Sequence, residues 1–292
     1  MGLMGNGIVQ VTAANAKVAV VALDSSSDSV SRGIAAIRKS LTLIATKSVS
    51  KGLKTKEVAE GEVESALSLI SGTTDKGALK ECDLVIEAAP EDWQLKKTLY
   101  NGLHANLSPT AILASNTSGL LIGDLAREFG DPSRVLGLHY FNPVALMQLV
   151  EVVVTPTVAP QHVEACMALV KAQGKTPIQC ADAPGFIVNR LLVPFMASAI
   201  ALYDRKEAKI GDIDTAMKLG TGHPMGPLHL CDYVGLDTML YILQNWKKQY
   251  PNEPSFFIPE GLKRRVEAGL LGRKSGKGFY VWEGDKVIKP VE

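Results

Sequence analysis

Up to about residue 150, short apolar runs alternate with longer stretches of helical periodicity, and Lys17 to Leu23, Asp83 to Ala88, Ala111 to Ala114 and Arg134 to Leu138 are the clearest predicted strands. That alternation predicts a parallel sheet wrapped by helices. Leu149 to Val154, reading LVEVVV, is a further predicted strand, and Thr176 to Cys180 is the last. After Asp182-Ala183-Pro184-Gly185 the period changes. Ile187, Leu191, Met196, Ile200 and Leu202 mark one apolar helical face, and Ile213, Met217, Met239, Ile242, Leu243 and Trp246 continue the pattern. The chain therefore divides into an α/β domain over residues 1–182 and an all-helical domain over 183–292, separated where Pro and Gly interrupt both patterns.

Composition narrows the partners. The 292 residues are 46% hydrophobic and 21% charged, a globular composition, and 31 basic against 30 acidic side chains give a net charge of +1. No block of one sign offers a footprint for nucleic acid, so a small molecule is the expected partner. Cys82, Cys166, Cys180 and Cys231 lie far apart without a CxxC pair, which argues against a zinc site or a disulfide framework. Pro194 breaks the run from Leu191 to Leu202, which is too short to span a membrane.

The chain opens MGLMGNG, where Gly2-Leu3-Met4-Gly5 reproduces the last two glycines of a G-x-G-x-x-G fingerprint. Asp24 closes the next predicted strand 19 positions after Gly5, the offset of the carboxylate that holds the adenosine ribose of NAD. A doubly wound, Rossmann-type sheet is expected, with its first strand and first glycine absent. That absence suggests that Met1 is not the natural start, or that the chain is a shortened form with impaired cofactor binding. Glu91 and Lys96 follow the strand ending Glu87-Ala88-Ala89-Pro90 and can reach a cofactor at the sheet's carboxyl edge. They also fit a solvated helix start. A glycine-rich helix start with an ordinary turn aspartate fits the first motif equally.

Glu151 is out of place in an aliphatic strand, because an unpartnered buried carboxylate is costly. His139, at the end of the strand Arg134 to Leu138 in GLHYFNP, is the candidate partner, and a turn through Asn142-Pro143 can bring the two together. A carboxylate on one imidazole nitrogen fixes the tautomer and leaves the other nitrogen to exchange a proton near neutral pH. A strand-end histidine bonded to backbone and an outward glutamate fit the same spacing. Ser118 in SNTS and Asn189 in PGFIVNR offer neutral hydrogen bonds, or serve as a helix cap and a polar helix face.

Taken together, GLMGNGI, ASNTSGL, GLHYFNPV with LVEVV, DAPGFIVNRLL, DIDTAMKLGTGHPMGPLHLCDYVGLDT and GRKSGKGFY resemble the monofunctional, short-chain L-3-hydroxyacyl-CoA dehydrogenases over nearly the whole chain. The resemblance implies NAD-dependent oxidation of a 3-hydroxyacyl-CoA in fatty-acid β-oxidation, with His139 as base and Glu151 as its orienting carboxylate. It implies substrate contacts from Ser118 and Asn189. It sets Gly2, Leu3, Met4, Asp24, Glu91, Lys96, Ser118, Asn142 and Lys274 near NAD, and Ser40 and Lys47, seven apart on one helix face, near coenzyme A, although a lysine there can also be simply solvated. No metal is expected. A homodimer paired through the second domain is implied, with the apolar faces around Met196 and Met239 serving either the interface or the core. So is a mitochondrial matrix or bacterial cytoplasmic setting, with no targeting segment visible. Competing readings are a non-catalytic shortened form and a dehydrogenase of another hydroxy substrate, such as a sugar acid or 3-hydroxybutyryl-CoA.

Overall fold

The computed structural model describes residues 1–291, which form two units, one from Met1 to Phe186 and one from Ile187 onward. In the first unit, helix α1 (Leu3–Val11) buries Ile8, Val9 and Val11 and passes into a π-helical turn over Thr12–Ala16. Buried Gln173 secures that turn. Its Nε2 donates to Thr12 Oγ1 at 2.8 Å, its carbonyl accepts from Asn15 Nδ2 at 2.9 Å, and its Oε1 accepts from the Tyr140 hydroxyl at 2.9 Å. Lys17 then turns into the left-handed region at φ 57, so strand β1 (Val20–Leu23) starts three residues later than the periodicity predicts.

Helices α2 (Ser27–Ser50) and α3 (Lys56–Ser68) follow, capped by the side chains of Ser26 and Thr55, which accept from the N–H groups of Ser29 and Val58. They lead to β2 (Ile70–Thr73), a strand absent from the sequence reading because ISGT has neither length nor apolar period. Its Gly72 lets α2 approach closely: a Cβ there would lie 2.4 Å from Val30 Cγ1.

The chain continues through β3 (Leu84–Glu87), α4 (Trp93–Leu103), β4 (Ile112–Ser115), α5 (Ile122–Phe129), β5 (Val135–Tyr140), β6 (Leu149–Val154), α6 (Pro160–Ala172) and β7 (Thr176–Ala181). These strands form a sheet of order β3-β4-β5-β6-β7, parallel except between β5 and β6. The predicted single sheet is divided, for β1 and β2 pair parallel as a sheet of their own. Among the described residues no strand pairs with the second edge of β1 or of β3. One core, with Leu113, Leu125, Phe129 and Val135, includes residues of α5. Another, with Leu136, Leu138, Val150, Val152 and Val170, includes residues of α1 and α6. Burial on both faces explains why the central strands read as continuous apolar runs rather than alternating ones.

The second unit contains α7 (Val188–Asp204), α8 (Ile210–Thr221), α9 (Pro227–Val234), α10 (Leu236–Gln249) and α11 (Glu260–Glu267). Met196, Ile200, Leu228, Met239, Leu243, Trp246 and Phe256 pack as its core. Met196 and Met239 are therefore internal, while Leu191, placed on the buried face by the sequence pattern, is exposed. The unit is not all-helical: it ends in an antiparallel hairpin of β8 (Tyr280–Glu283) and β9 (Lys286–Pro290), runs too short and too polar for periodicity to find. Buried Asp232 on α9 accepts the N–H groups of Phe279 and Tyr280 and the Trp282 indole at 2.8–2.9 Å. Gly272, at φ 91, lies so close to Asp232 that a Cβ would meet its carbonyl oxygen at 2.4 Å, so that position requires glycine.

Candidate active site

Strand β5 runs through Tyr140, which puts His139 inside the strand rather than beyond its end. Antiparallel pairing sets His139 directly opposite Glu151 of β6, and cross-strand partners in such a ladder approach within side-chain reach. The imidazole Nδ1 and Glu151 Oε2 are 2.6 Å apart, the length of a charge-assisted hydrogen bond. Glu151 is fully buried and His139 is 5% exposed. Removing a carboxylate from water costs several kcal/mol unless donors replace the solvent, which favours the tautomer that donates Nδ1–H to Glu151 and leaves Nε2 with its lone pair. The ring lies against Phe141 and Phe186, with centroids 4.5 and 5.5 Å away. Phe186 adopts φ 51, a conformation uncommon outside glycine, and its ring belongs to the core beneath the strands. Neither phenylalanine was a candidate site residue in the sequence.

After β4 the chain turns through Asn116 to Leu120, and this loop bears Ser118, which is exposed and does not cap a helix. Asn116 Oδ1 accepts the N–H of Tyr140 at 2.9 Å, tying the loop to β5 one residue beyond His139. Glu91 Oε1 accepts from Thr117 Oγ1 at 2.5 Å, Ser118 N at 2.9 Å and Gly119 N at 3.0 Å. Burial would raise the Glu91 carboxyl, but the Lys96 charge and these bonds hold it below the ordinary carboxylate range. Lys96 is 1% exposed, bonded to Glu87 and 3.2 Å from Glu91. Its ammonium, which the resemblance sets beside NAD, pairs with both carboxylates. Glu87, Asn116 and Thr117 were not singled out by the sequence reading.

Asn142 is exposed directly after β5 and is joined to Pro143 by a cis peptide bond. The segment that follows is held by Lys175, whose Nζ donates to the carbonyls of Val144 at 2.5 Å and Met147 at 2.7 Å. Burial pushes that ammonium below the usual lysine value.

At the cofactor end, Gly2 is the extended N-cap of α1 and no side chain caps the helix, so its first N–H groups are available to an anion. A Cβ on Gly2 would meet nothing within 4 Å, and one on Gly5 only Ala88 Cβ at 3.9 Å. Packing among the described residues does not demand glycine at either position; close backbone approach by a diphosphate would demand it at Gly2. Asp24, at the end of β1, is 3.0 Å from the Met1 ammonium. Burial would raise its carboxyl, but that charge and the N–H groups of Ser25 and Ser26 hold it below the ordinary value. Uncapped helix, spare glycines and acidic strand end together fit NAD.

Ser40 and Lys47 lie on α2, Ser40 half-buried and Lys47 exposed. A cavity of about 330 Å³ beside that helix is lined by Val11, Leu41, Ile44, Lys54, Ala59 and Val63 among others, and by neither expected contact. Asn189 and Lys274 belong to the second unit: Asn189 is half-buried in the first turn of α7, and Lys274 pairs with Asp237 of α10 at 2.5 Å. Among the described residues no three His, Cys, Asp or Glu side chains cluster as metal ligands, and no helix is long and apolar enough to cross a membrane.

Comparison with known proteins shows the family. Residues 1–183 match the 3-hydroxyacyl-CoA dehydrogenase NAD binding domain and residues 185–282 the C-terminal domain of the same family. The mitochondrial hydroxyacyl-coenzyme A dehydrogenase of Rattus norvegicus is 43% identical over 97% of this chain and 89% of its own length. A 3-hydroxybutyryl-CoA dehydrogenase of Mycobacterium tuberculosis is 41% identical over 96% of each chain. The crystal structure of (S)-3-hydroxybutyryl-CoA dehydrogenase from Ralstonia eutropha superposes with a TM-score of 0.90 at 38% identity, covering 97% of this chain and 96% of that one.

Proposed function

Because the chain belongs to the 3-hydroxyacyl-CoA dehydrogenase family of NAD-dependent oxidoreductases, we propose that it oxidises the hydroxyl of an L-3-hydroxyacyl-CoA to a ketone, as in fatty-acid β-oxidation, with His139 and Glu151 moving the proton. The observation that carries this reading is the 2.6 Å bond between a fully buried carboxylate and the imidazole opposite it. NAD, when bound, would supply the acceptor for the hydride of the carbinol carbon. His139 Nε2 removes the hydroxyl proton, and Glu151 stabilises the imidazolium that results. Ser118, on the loop tied to β5 by Asn116 and latched by Glu91, donates to the reacting oxygen and orients it. Gly2, Leu3, Met4 and Asp24 would hold the cofactor's diphosphate and ribose.

The test is disappearance of NADH absorbance when the purified chain meets 3-oxoacyl-CoA thioesters of increasing length. Turnover supports the reading, and inactivity with every thioester removes it. A second reading, preference for the four-carbon thioester, is favoured by the names of the Mycobacterium and Ralstonia relatives, and the same panel decides it. Pairing of two chains through the second unit is supported by its exposed Leu219 and Tyr241 rather than by the buried Met196 and Met239.

Gly2→Ala separates cofactor binding from folding. A Cβ at Gly2 meets nothing within 4 Å, and alanine in place of glycine at a helix N-cap costs about 1 kcal/mol or less. The variant should melt close to the parent's temperature yet bind NADH about tenfold more weakly by titration calorimetry, because the methyl stands at the glycine over which the backbone approaches the diphosphate. Unchanged affinity would separate Gly2 from the cofactor.

A further inference from the structure

Phe186 is held in a conformation that core packing alone does not require. It adopts φ 51 immediately after Gly185 at φ 73, and a left-handed backbone is costly for a bulky side chain. Such strain persists only where the surroundings over-determine it, and it concentrates at functional sites. Here the surroundings are specific. Phe186 N donates to Ala183 O at 3.0 Å, closing the turn, and Asp182 N donates to Val154 O at 3.2 Å, fixing the start of the turn to the end of β6. The Asp182 carboxylate accepts the N–H groups of Ile122 and Gly123 at 2.9 and 2.8 Å. It thereby caps α5, whose own N-cap, Leu121, has no capping side chain. Gly123 permits that approach, since a Cβ there would lie 3.2 Å from Asp182 Oδ2.

We propose that Phe186 is a positioning residue for the imidazole of His139, and that the Asp182 clamp keeps it in place. This rests on the function proposed above for His139. The bond from Nδ1 to Glu151 fixes one atom of the imidazole and leaves the ring plane free to swing about that bond. Phe141 and Phe186 limit the swing, at centroid distances of 4.5 and 5.5 Å and interplanar angles of 53° and 58°, a separation at which tilted aromatic pairs attract. Phe141 follows His139 along the chain, whereas the Phe186 ring reaches the imidazole from the left-handed turn after β7. That ring is 5% exposed and shares a core with Leu113, Ile122, Leu125 and Val153. An aliphatic side chain of similar volume would fill such a core about as well, but it presents no flat ring to the imidazole. Phe186 thus influences the substrate only through His139, and Asp182 only through Phe186.

Phe186→Leu keeps the site apolar and removes the ring. The readout is the downfield proton resonance of His139 Nδ1–H, assigned by its absence from His139→Gln. In Phe186→Leu that proton should exchange with water about tenfold faster than in the parent, while the amides of β5 and β6 keep their protection. With 3-oxoacyl-CoA and NADH, kcat should fall about tenfold, and the thioester KM and NADH affinity should change less than about twofold, the mark of lost orientation rather than lost binding. Asp182→Asn, which can accept only one of the two α5 N–H groups through its carboxamide oxygen, should show the same signature at about threefold. A folded Phe186→Leu with parental exchange of the Nδ1 proton would overturn the proposal. So would a kcat within about twofold of an active parent. Should Phe186→Leu not fold, parental exchange in Asp182→Asn would overturn it instead. Faster exchange in a variant of a parent that turns over no thioester would uphold the positioning and reject the proposed reaction.

Discussion

His139→Gln should lower kcat for 3-oxoacyl-CoA reduction by about 10²-fold to 10⁴-fold, the range over which a positioned acid–base group contributes, while NADH affinity stays within about twofold. Glutamine is the informative replacement because it retains a donor facing Glu151. Truncation to alanine would instead withdraw a donor from a fully buried carboxylate, a change worth about 3–5 kcal/mol when an ion pair is broken, and would confound folding with chemistry. The carboxamide nitrogen cannot deliver and recover a proton near neutral pH, so the variant tests proton transfer with the site's shape kept. Stopped-flow observation of NADH consumption, with NADH binding titrated separately, measures both quantities. Near-parental turnover would remove the imidazole from the mechanism.

Glu151→Gln should cost nearly as much, about 10²-fold in kcat. At an effective dielectric near 20, two unit charges about 4 Å apart attract by about 4 kcal/mol. A neutral carboxamide keeps only part of this through its dipole, so the imidazolium formed during oxidation loses most of its stabilisation. Glutamine can also present its NH2 group to Nδ1, which favours the wrong tautomer and leaves the proton on Nε2, where the base should be unprotonated. Loss of kcat with thioester KM little changed is the expected signature in steady-state kinetics. Parental kcat would give Glu151 a structural role only.

The site was legible where a residue contradicted its surroundings. Glu151 announces itself as a charge in LVEVVV, and twelve residues suffice for the turn that returns it to His139. The sequence does not reveal the register, which depends on antiparallel pairing of β5 with β6. Glu87 at the end of LVIE carries the same signal, yet the following Ala-Ala-Pro makes it look like a strand terminus facing water. Its burial depends on Ser115, 28 residues away, and on a lysine from the next helix. The pairing of Lys96 is hidden for the same reason: a lysine near a helix start looks solvated until its carboxylate partners are seen. The alternation of strands and helices was legible because both faces of the main sheet are buried. The division into two sheets, the π-helical turn held by Gln173 and the terminal hairpin held by Asp232 were not, since each depends on contacts remote in the chain.

The central claim is that His139 and Glu151 act as one unit on the substrate's proton, and a kcat comparison of the parent, His139→Gln, Glu151→Gln and the combined variant tests it most directly. Groups that act through one another lose their function together, so the combined variant should be no more than about threefold slower than the worse single variant. A combined loss equal to the product of the two single losses would show that the carboxylate and the imidazole act independently.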